Sequence, residues 1–240
     1  MSVRHRVASI SAVLLGIFLL APAWGGNLNK SIKIGDGETS GGASTVNGSV
    51  TVGSDAVVTG TVSTVNGSVR IGENSRIKDA ETVNGSLRVS DGVQSQDLSS
   101  VNGAIQTGTG VTVDGEISVV NGKIKLESGT TVSGEVSNVN GEIKLIGAEI
   151  GGSLSTVNGD VLLQDQATII GDLTVEQPSG WNNSNNSRKP KVVIGPGSRV
   201  GGSIILEQEV DLYISTSAEV GSVSGVMSID DAERFSGKRP

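Results

Sequence analysis

Cysteine is absent from this 240-residue chain, histidine occurs once, and aromatic residues make up only 2% of it. Without cysteine there is no disulfide framework and no thiolate chemistry. The single histidine, His5, falls in a stretch that reads as a leader, so the chain beyond it offers no imidazole base or ligand. Apolar residues at 35%, with so few aromatics, argue against an ordinary helical or mixed core. The same shortage leaves nothing to build the aromatic girdles of a membrane β-barrel. Acidic residues predominate. Setting aside Arg4 and Arg6 leaves 16 basic residues against 25 acidic, a net charge of −9, which disfavours nucleic acid as a partner.

Residues 1–23 read as a secretory signal peptide. Arg4, His5 and Arg6 form a basic start, Val7 to Leu20 an apolar run, and Ala21-Pro22-Ala23 an A-x-A site before Trp24. The other reading is an uncleaved anchor, since Val7–Ala23 is at the short edge for a span. No other stretch is suited to crossing a bilayer as a helix. The chain is thus expected to be exported, to the periplasm or the cell surface and exterior, with no transmembrane segment after cleavage.

What the sequence has in abundance is glycine, 35 residues of it, at fixed phase. Val-Asn-Gly occurs seven times, with asparagines Asn47, Asn66, Asn84, Asn102, Asn121, Asn140 and Asn158 spaced by 18 or 19 residues. Four residues after each motif valine stands Val50, Val69, Leu87, Ile105, Ile124, Ile143 or Val161. A second block, apolar-x-Gly-x-apolar, recurs at Val58–Val62, Val113–Ile117, Val132–Val136, Ile150–Leu154, Ile169–Leu173 and Val200–Ile204. Short alternating strands broken by glycine at a fixed phase are what a solenoid coil requires.

Asn-Gly between apolar runs is also a strong signal for a two-residue hairpin turn. In a hairpin, however, Val46 would share a face with Ser49, and Thr45 with Val50, so the ribbon would have no consistent inside. Stacked coils remove the conflict by pointing Val46, Val65, Val83 and their equivalents inward, one above another. The expected fold is an all-β, single-stranded parallel β-helix (solenoid) of about ten 18–19-residue coils, each adding ~4.8 Å. The glycine of each Asn-Gly is expected to take a left-handed conformation at a corner, and the asparagines to form a ladder down it. Residues 24–176 are coils, 177–191 a polar loop insertion, and 192–226 the final coils. Residues 227–240 leave the repeat as a C-terminal cap or tail. Ser228 to Phe235 is read either as a short helix capped by Ser228 over the last coil or as a frayed end.

Ile71-Gly72-Glu73-Asn74-Ser75-Arg76-Ile77, and likewise Ile194 to Ile204 and Val52 to Gly60, resemble the bactofilin, or polymer-forming cytoskeletal, family. That resemblance covers residues 28–175 and 192–226. It implies a right-handed triangular β-helix and nucleotide-free self-association through the terminal coils. An export signal and greater length depart from the family's pattern. The fixed Val-Asn-Gly is also similar to β-solenoid adhesins of bacterial envelopes.

No catalytic constellation is visible. Hexapeptide-repeat acyltransferases and solenoid carbonic anhydrases rely on histidine. Pectate-lyase-like enzymes need long loops that build a cleft, and these coils vary by one residue up to position 175. The reading is therefore no enzyme, no catalytic residue, no cofactor and no metal. Glu116, Glu135 and Asp172 share a column in which stacked carboxylates could hold Ca²⁺, although solvated charge explains them better. Arg70, Arg88, Lys125 and Lys144 share another column, broken by Gln106, suited to anionic glycan or lipid headgroups or simply to solubility. Thr45, Thr64, Thr82 and Thr156, each two residues before an asparagine, would form an outward Thr-x-Asn array similar to ice-binding faces. Trp181, Arg188, Lys189 and Lys191, on the one irregular loop, are the partner-binding candidates. The expectation is an exported structural or scaffold protein of the bacterial cell envelope, assembling end to end. The alternative is an adhesin-type module for an envelope glycan or protein.

Overall fold

In a strand, successive side chains face opposite ways, so a chain that alternates apolar and polar residues for three positions and then turns can wrap around its own interior. The computed structural model of the chain describes residues 29–178, 188–238 and 240, and in it this pattern closes into coils. The first coil contains the strands Ile32–Ile34, Thr39–Ser40 and Ala43–Asn47, and the second Val50–Val52, Val57–Val58 and Val62–Asn66. Stacking places corresponding strands side by side in three sheets of 11, 10 and 10 strands. Pairing is parallel and in register, as in Val50 with Val69, Val58 with Ile77 and Val62 with Ala80. The fold is an all-β parallel solenoid of about ten turns. Among the described residues no helix is long and apolar enough to cross a membrane. The expected signal peptide, residues 1–23, lies outside the described residues.

The interior is a set of apolar columns. Val50, Val69, Leu87, Ile105, Ile124, Ile143 and Val161 are fully buried in one, and Val62, Ala80, Leu98, Ile117, Val136 and Leu154 in another. Each fully buried branched side chain is worth about 1.5–3 kcal/mol, and no single coil carries enough of them to order itself. Cohesion therefore comes from stacking. Backbone bonds such as Val50 N–H to Ser68 O and Val69 N–H to Ser86 O, both 3.0 Å, tie each coil to the next.

The motif valines do not point into this interior. Val46, Val65, Val83, Val101, Val120 and Val139 are half-buried on the outside, and the inward positions belong to Thr45, Thr64, Thr82, Ser100, Val119, Asn138 and Thr156. The reason is alternation counted from the strand's start. Val62 faces in, so Thr64 does too, and Val65 turns out. The threonines are thus not an ice-binding array. Thr45 Oγ1 donates to Lys30 O at 2.9 Å and Thr64 Oγ1 to Gly48 O at 2.7 Å. Asn138 Nδ2 donates to Gly122 O at 2.9 Å. They satisfy carbonyls of the corner from within.

The role of the corner glycine also differs from expectation. Of the seven Asn-Gly glycines only Gly141 lies at positive φ, 122°. What excludes a side chain is contact: a Cβ at Gly67, Gly85, Gly103, Gly122 or Gly141 would strike the carbonyl oxygen of the glycine one coil below. The left-handed conformation is used at another corner, after the three-residue strands, by Gly37, Asp55, Asn74, Gly92, Gly110 and Gly129, at φ between 55° and 73°. Glycine, aspartate and asparagine tolerate it best, and one later coil sets Asp165 and Gln166 there at 52° and 64°.

The C-terminal segment is neither the expected helix nor a frayed end. Ser228 does precede a helical turn, but this is a single 3₁₀ turn, Ile229–Asp231. The Asp231 carboxylate accepts the Ser228 N–H at 2.7 Å and its hydroxyl at 3.0 Å, bonds that hold its pKa below the usual aspartate value. The chain then adds an eleventh strand, Glu233–Phe235, alongside Asp211–Ser215. Met227 and Ala232 pack against the last core residues.

Gly103→Ala should destabilise the fold by more than about 2 kcal/mol, because the Gly85 carbonyl cannot yield without opening the stack. Gly41→Ala, whose Cβ would meet nothing within 4 Å, should change stability by less than about 0.5 kcal/mol. Urea unfolding of the two variants against the parent checks both.

Candidate functional site

A coil with no long loops presents one outward side chain per strand position, so chemistry on this molecule is arranged in vertical columns. The Val-Asn-Gly corner carries a continuous one. Asn47 Nδ2 donates to Asn29 Oδ1 at 2.6 Å, Asn66 to Asn47 at 2.8 Å and Asn84 to Asn66 at 3.0 Å. Asn102, Asn121, Asn140 and Asn158 continue it upward, each donating to the asparagine below at 2.8–3.0 Å. Both ends of each internal amide are engaged in the stack, which makes this column part of the frame. It stops above Asn158 because the 177–191 insertion leaves from the next corner. There Gln208 Nε2 donates to Val157 O at 2.5 Å and Glu176 O at 2.7 Å instead.

The basic residues of that insertion are tied to the rod. Arg188 pairs with Asp160, Lys189 Nζ lies 2.8 Å from Glu209, and Lys191 Nζ stands 4.6 Å from the centre of the Tyr213 ring. These bonds raise the pKa of both Arg188 and Lys189 and lower that of Glu209. The Lys191 backbone also donates to Asp160 Oδ1 at 2.8 Å, as the first residue of the strand Lys191–Ile194. The three cations brace the foot of the insertion. Trp181 lies outside the described residues.

The acidic column is longer than its sequence pattern indicates. Asp79 and Asp97 occupy the same corner as Glu116, Glu135 and Asp172. Two of these carboxylates hold the next coil: Asp97 Oδ1 accepts Glu116 N–H, and Asp172 Oδ1 accepts Ser203 N–H, both at 2.8 Å. The coils holding Asp79 and Asp97 are one residue shorter at this corner and lack its glycine, so the apolar-x-Gly-x-apolar block does not reveal them. Aligning on the buried residue that comes next, Ala80 or Leu98, would have. Among the described residues no group of three or more acidic or histidine side chains has metal-holding geometry.

Beside this column sits a residue that the repeat pattern does not mark at all. Ser44, Ser63, Ser99, Ser118 and Ser137 face outward in one file, and Glu81 takes the place between Ser63 and Ser99. Its Oε2 is buried with no hydrogen-bond partner. Burial, reinforced by Asp79 and Asp97, pushes its pKa up to about 7. Lys78, the basic residue closest to it in sequence, pairs with Asp79 at 3.7 Å.

The basic column stands on the outward face of the first sheet. Arg70 is opposite Arg88, Arg88 opposite Gln106, Gln106 opposite Lys125, and Lys125 opposite Lys144. Near the C-terminal end, a groove lined by Ser215, Thr216, Ser217, Ser236 and Lys238 offers hydroxyls and one amine. Comparisons with models of protein families, with curated proteins and with solved structures found no match.

Glu81 favours the folded state in its protonated form, since its folded pKa of about 7 exceeds its ordinary 4.5. That stability is full below about pH 4.5 and is lost as the pH rises through 7. Glu81→Gln should therefore raise stability at pH 8 by about 1–2 kcal/mol, allowing for solvent screening of a partly exposed group. Little of that difference should remain at pH 4. Thermal melts at the two pH values check it.

Proposed function

We propose that this chain is a non-enzymatic, exported structural rod of the bacterial cell envelope that extends by pairing its terminal strands. The observation that carries this reading is the state of the two ends. Ile32–Ile34 pairs only with Val50–Val52 among the described residues, and Glu233–Phe235 only with Asp211–Ser215. Among the described residues each therefore keeps one edge of backbone groups unspent, a template for a further strand. The uniform interior supports the same role, because every coil repeats the surface on which the next one sits. The leader supports export. The resemblance to polymer-forming cytoskeletal proteins supports assembly without a nucleotide.

The N-terminal edge gives a specific test. Ile32 N–H donates to Ser49 O and Ile34 O accepts Gly53 N–H, both at 2.9 Å, so the N–H of Lys33 between them points away from the stack. Lys33→Pro removes that donor while costing no bond inside the rod. Sedimentation velocity should show the parent's mean mass rising with concentration, and Lys33→Pro should need about tenfold more protein to reach the same mass. A parent that stays monomeric at every concentration overturns the reading.

A further inference from the structure

We propose that the outward face of the first sheet is a binding track for a linear acidic polysaccharide. The file of side chains on this face runs Lys33, Thr51, Arg70, Arg88, Gln106, Lys125, Lys144. Over these seven coils it carries five cations and no acid, in a chain with 25 acidic residues and 18 basic ones. Only Lys125 has a carboxylate partner among the described residues, Glu127 at 2.5 Å. Arg70 and Arg88 are exposed, adjacent in register and without an ion pair among the described residues. Like charges set directly opposite on neighbouring strands are destabilising, and acidic residues elsewhere in the chain already provide solubility. A ligand that neutralises the file removes that repulsion and gains from it.

The shape of the file selects the ligand. Its charges lie on one line, with steps of ~4.8 Å between coils. From Val50 to Leu126 each strand contributes a single outward residue between two buried ones, as in Val69, Arg70 and Ile71. One flank is the asparagine ladder, with Ser49, Ser68, Ser86 and Ala104 between it and the file and, at the last two coils, Lys123 paired with Glu142 at 3.9 Å. The other is the corner bearing Asp36, Asp55, Glu73, Asp91 and Glu127, of which Asp36 and Asp91 accept backbone N–H groups of the next coil at 3.0 and 2.7 Å. A membrane plane or a nucleic-acid duplex would press on those carboxylates as well as on the cations. A thread of sugar carboxylates can track the file without touching them. Arginine's planar fork suits carboxylates in two-point contact. Above Lys144 the file turns apolar at Leu162, Val193 and Tyr213, which ends the track.

Polygalacturonate is the probe, with dextran as the neutral control and anionic phosphatidylglycerol vesicles and single-stranded poly(dT) as competitors. The full chain should bind polygalacturonate saturably and dextran not at all. Affinity should fall at least tenfold as salt rises from about 50 mM to about 200 mM. Arg70→Gln with Arg88→Gln should weaken binding about tenfold, and so should Lys125→Gln with Lys144→Gln. Arg76→Gln with Lys78→Gln, an equal charge change off this face, should leave it unaltered. Circular dichroism reports folding of each variant, and either face pair suffices if the other misfolds. The proposal falls if polygalacturonate does not saturate, if the off-face pair weakens binding equally, or if vesicles or poly(dT) bind more tightly. None of the four substituted face residues lies on a terminal coil, so failure of end-to-end assembly and failure of this track are separate results.

Discussion

The structure depends on how closely one turn of backbone can lie on the next. Strands hydrogen-bond at a fixed spacing, and a coil keeps that spacing around its whole perimeter only if its corners come as close as its strands. At the Val-Asn-Gly corner the carbonyl of one glycine occupies the space a Cβ of the next would need. Each neighbouring choice stems from that contact. The residue before the glycine must hold the corner without bulk inside, and asparagine does so by bonding to its own copies. The residue two positions earlier faces in beneath the corner, and at Thr45, Thr64 and Asn138 it donates to a backbone carbonyl there, whereas the Ser100 hydroxyl has no partner among the described residues and the Val119 side chain has no donor. A motif that reads as a turn signal is therefore the mark of a vertical backbone contact.

This explains which parts of the fold were legible in the sequence. A period of 18–19 residues is long-range information, and it indicated stacking, the number of coils and the fully buried columns at Val50, Val62 and their equivalents. The direction of a side chain within a five-residue strand is local information, and two phases were open. Val62 and Val65 are both apolar, three apart, and alternation can place only one of them inside. The glycine at the strand's end gave no help, because its conformation is not the left-handed one that glycine usually advertises. Asp55 and Asn74, which do adopt it, look like ordinary polar loop residues. The C-terminal segment misled for a related reason: Ser228 and Asp231 form a real cap, but a cap closes one turn and leaves the path of the chain beyond it open.

The candidate sites were legible to the extent that they repeat. The basic file and part of the acidic column recur at coil spacing, and both were visible. Asp79 and Asp97 were hidden by one-residue shortenings that break the local pattern while leaving the column intact. Glu81 could not be found by recurrence at all, since it is the exception in a serine file. Its significance comes from having two carboxylates near it and no partner for one buried oxygen. The basic residues 188, 189 and 191 show the converse. Cations in an irregular loop look available, yet each has a partner on the rod that sequence distance conceals, Asp160, Glu209 or Tyr213.

A solenoid of this kind has no interior in which to hold a ligand, since its apolar columns meet at the axis. Function is left with the ends and the sides, and the two obey different rules. An end is defined by backbone, indifferent to side-chain identity, and suits association with another strand. A side is defined by whichever residue recurs at one outward position, and its natural ligand is another periodic object lying parallel to it. The charges here are sorted accordingly. Asp36, Asp91, Asp97 and Asp172 at the corners accept backbone N–H groups from the coil above and so act within the stack, whereas Arg70, Arg88 and Lys144 have no such bond among the described residues. Charge held on a rigid line at the cost of mutual repulsion is difficult to account for by packing, and binding along the line is the use that its geometry permits.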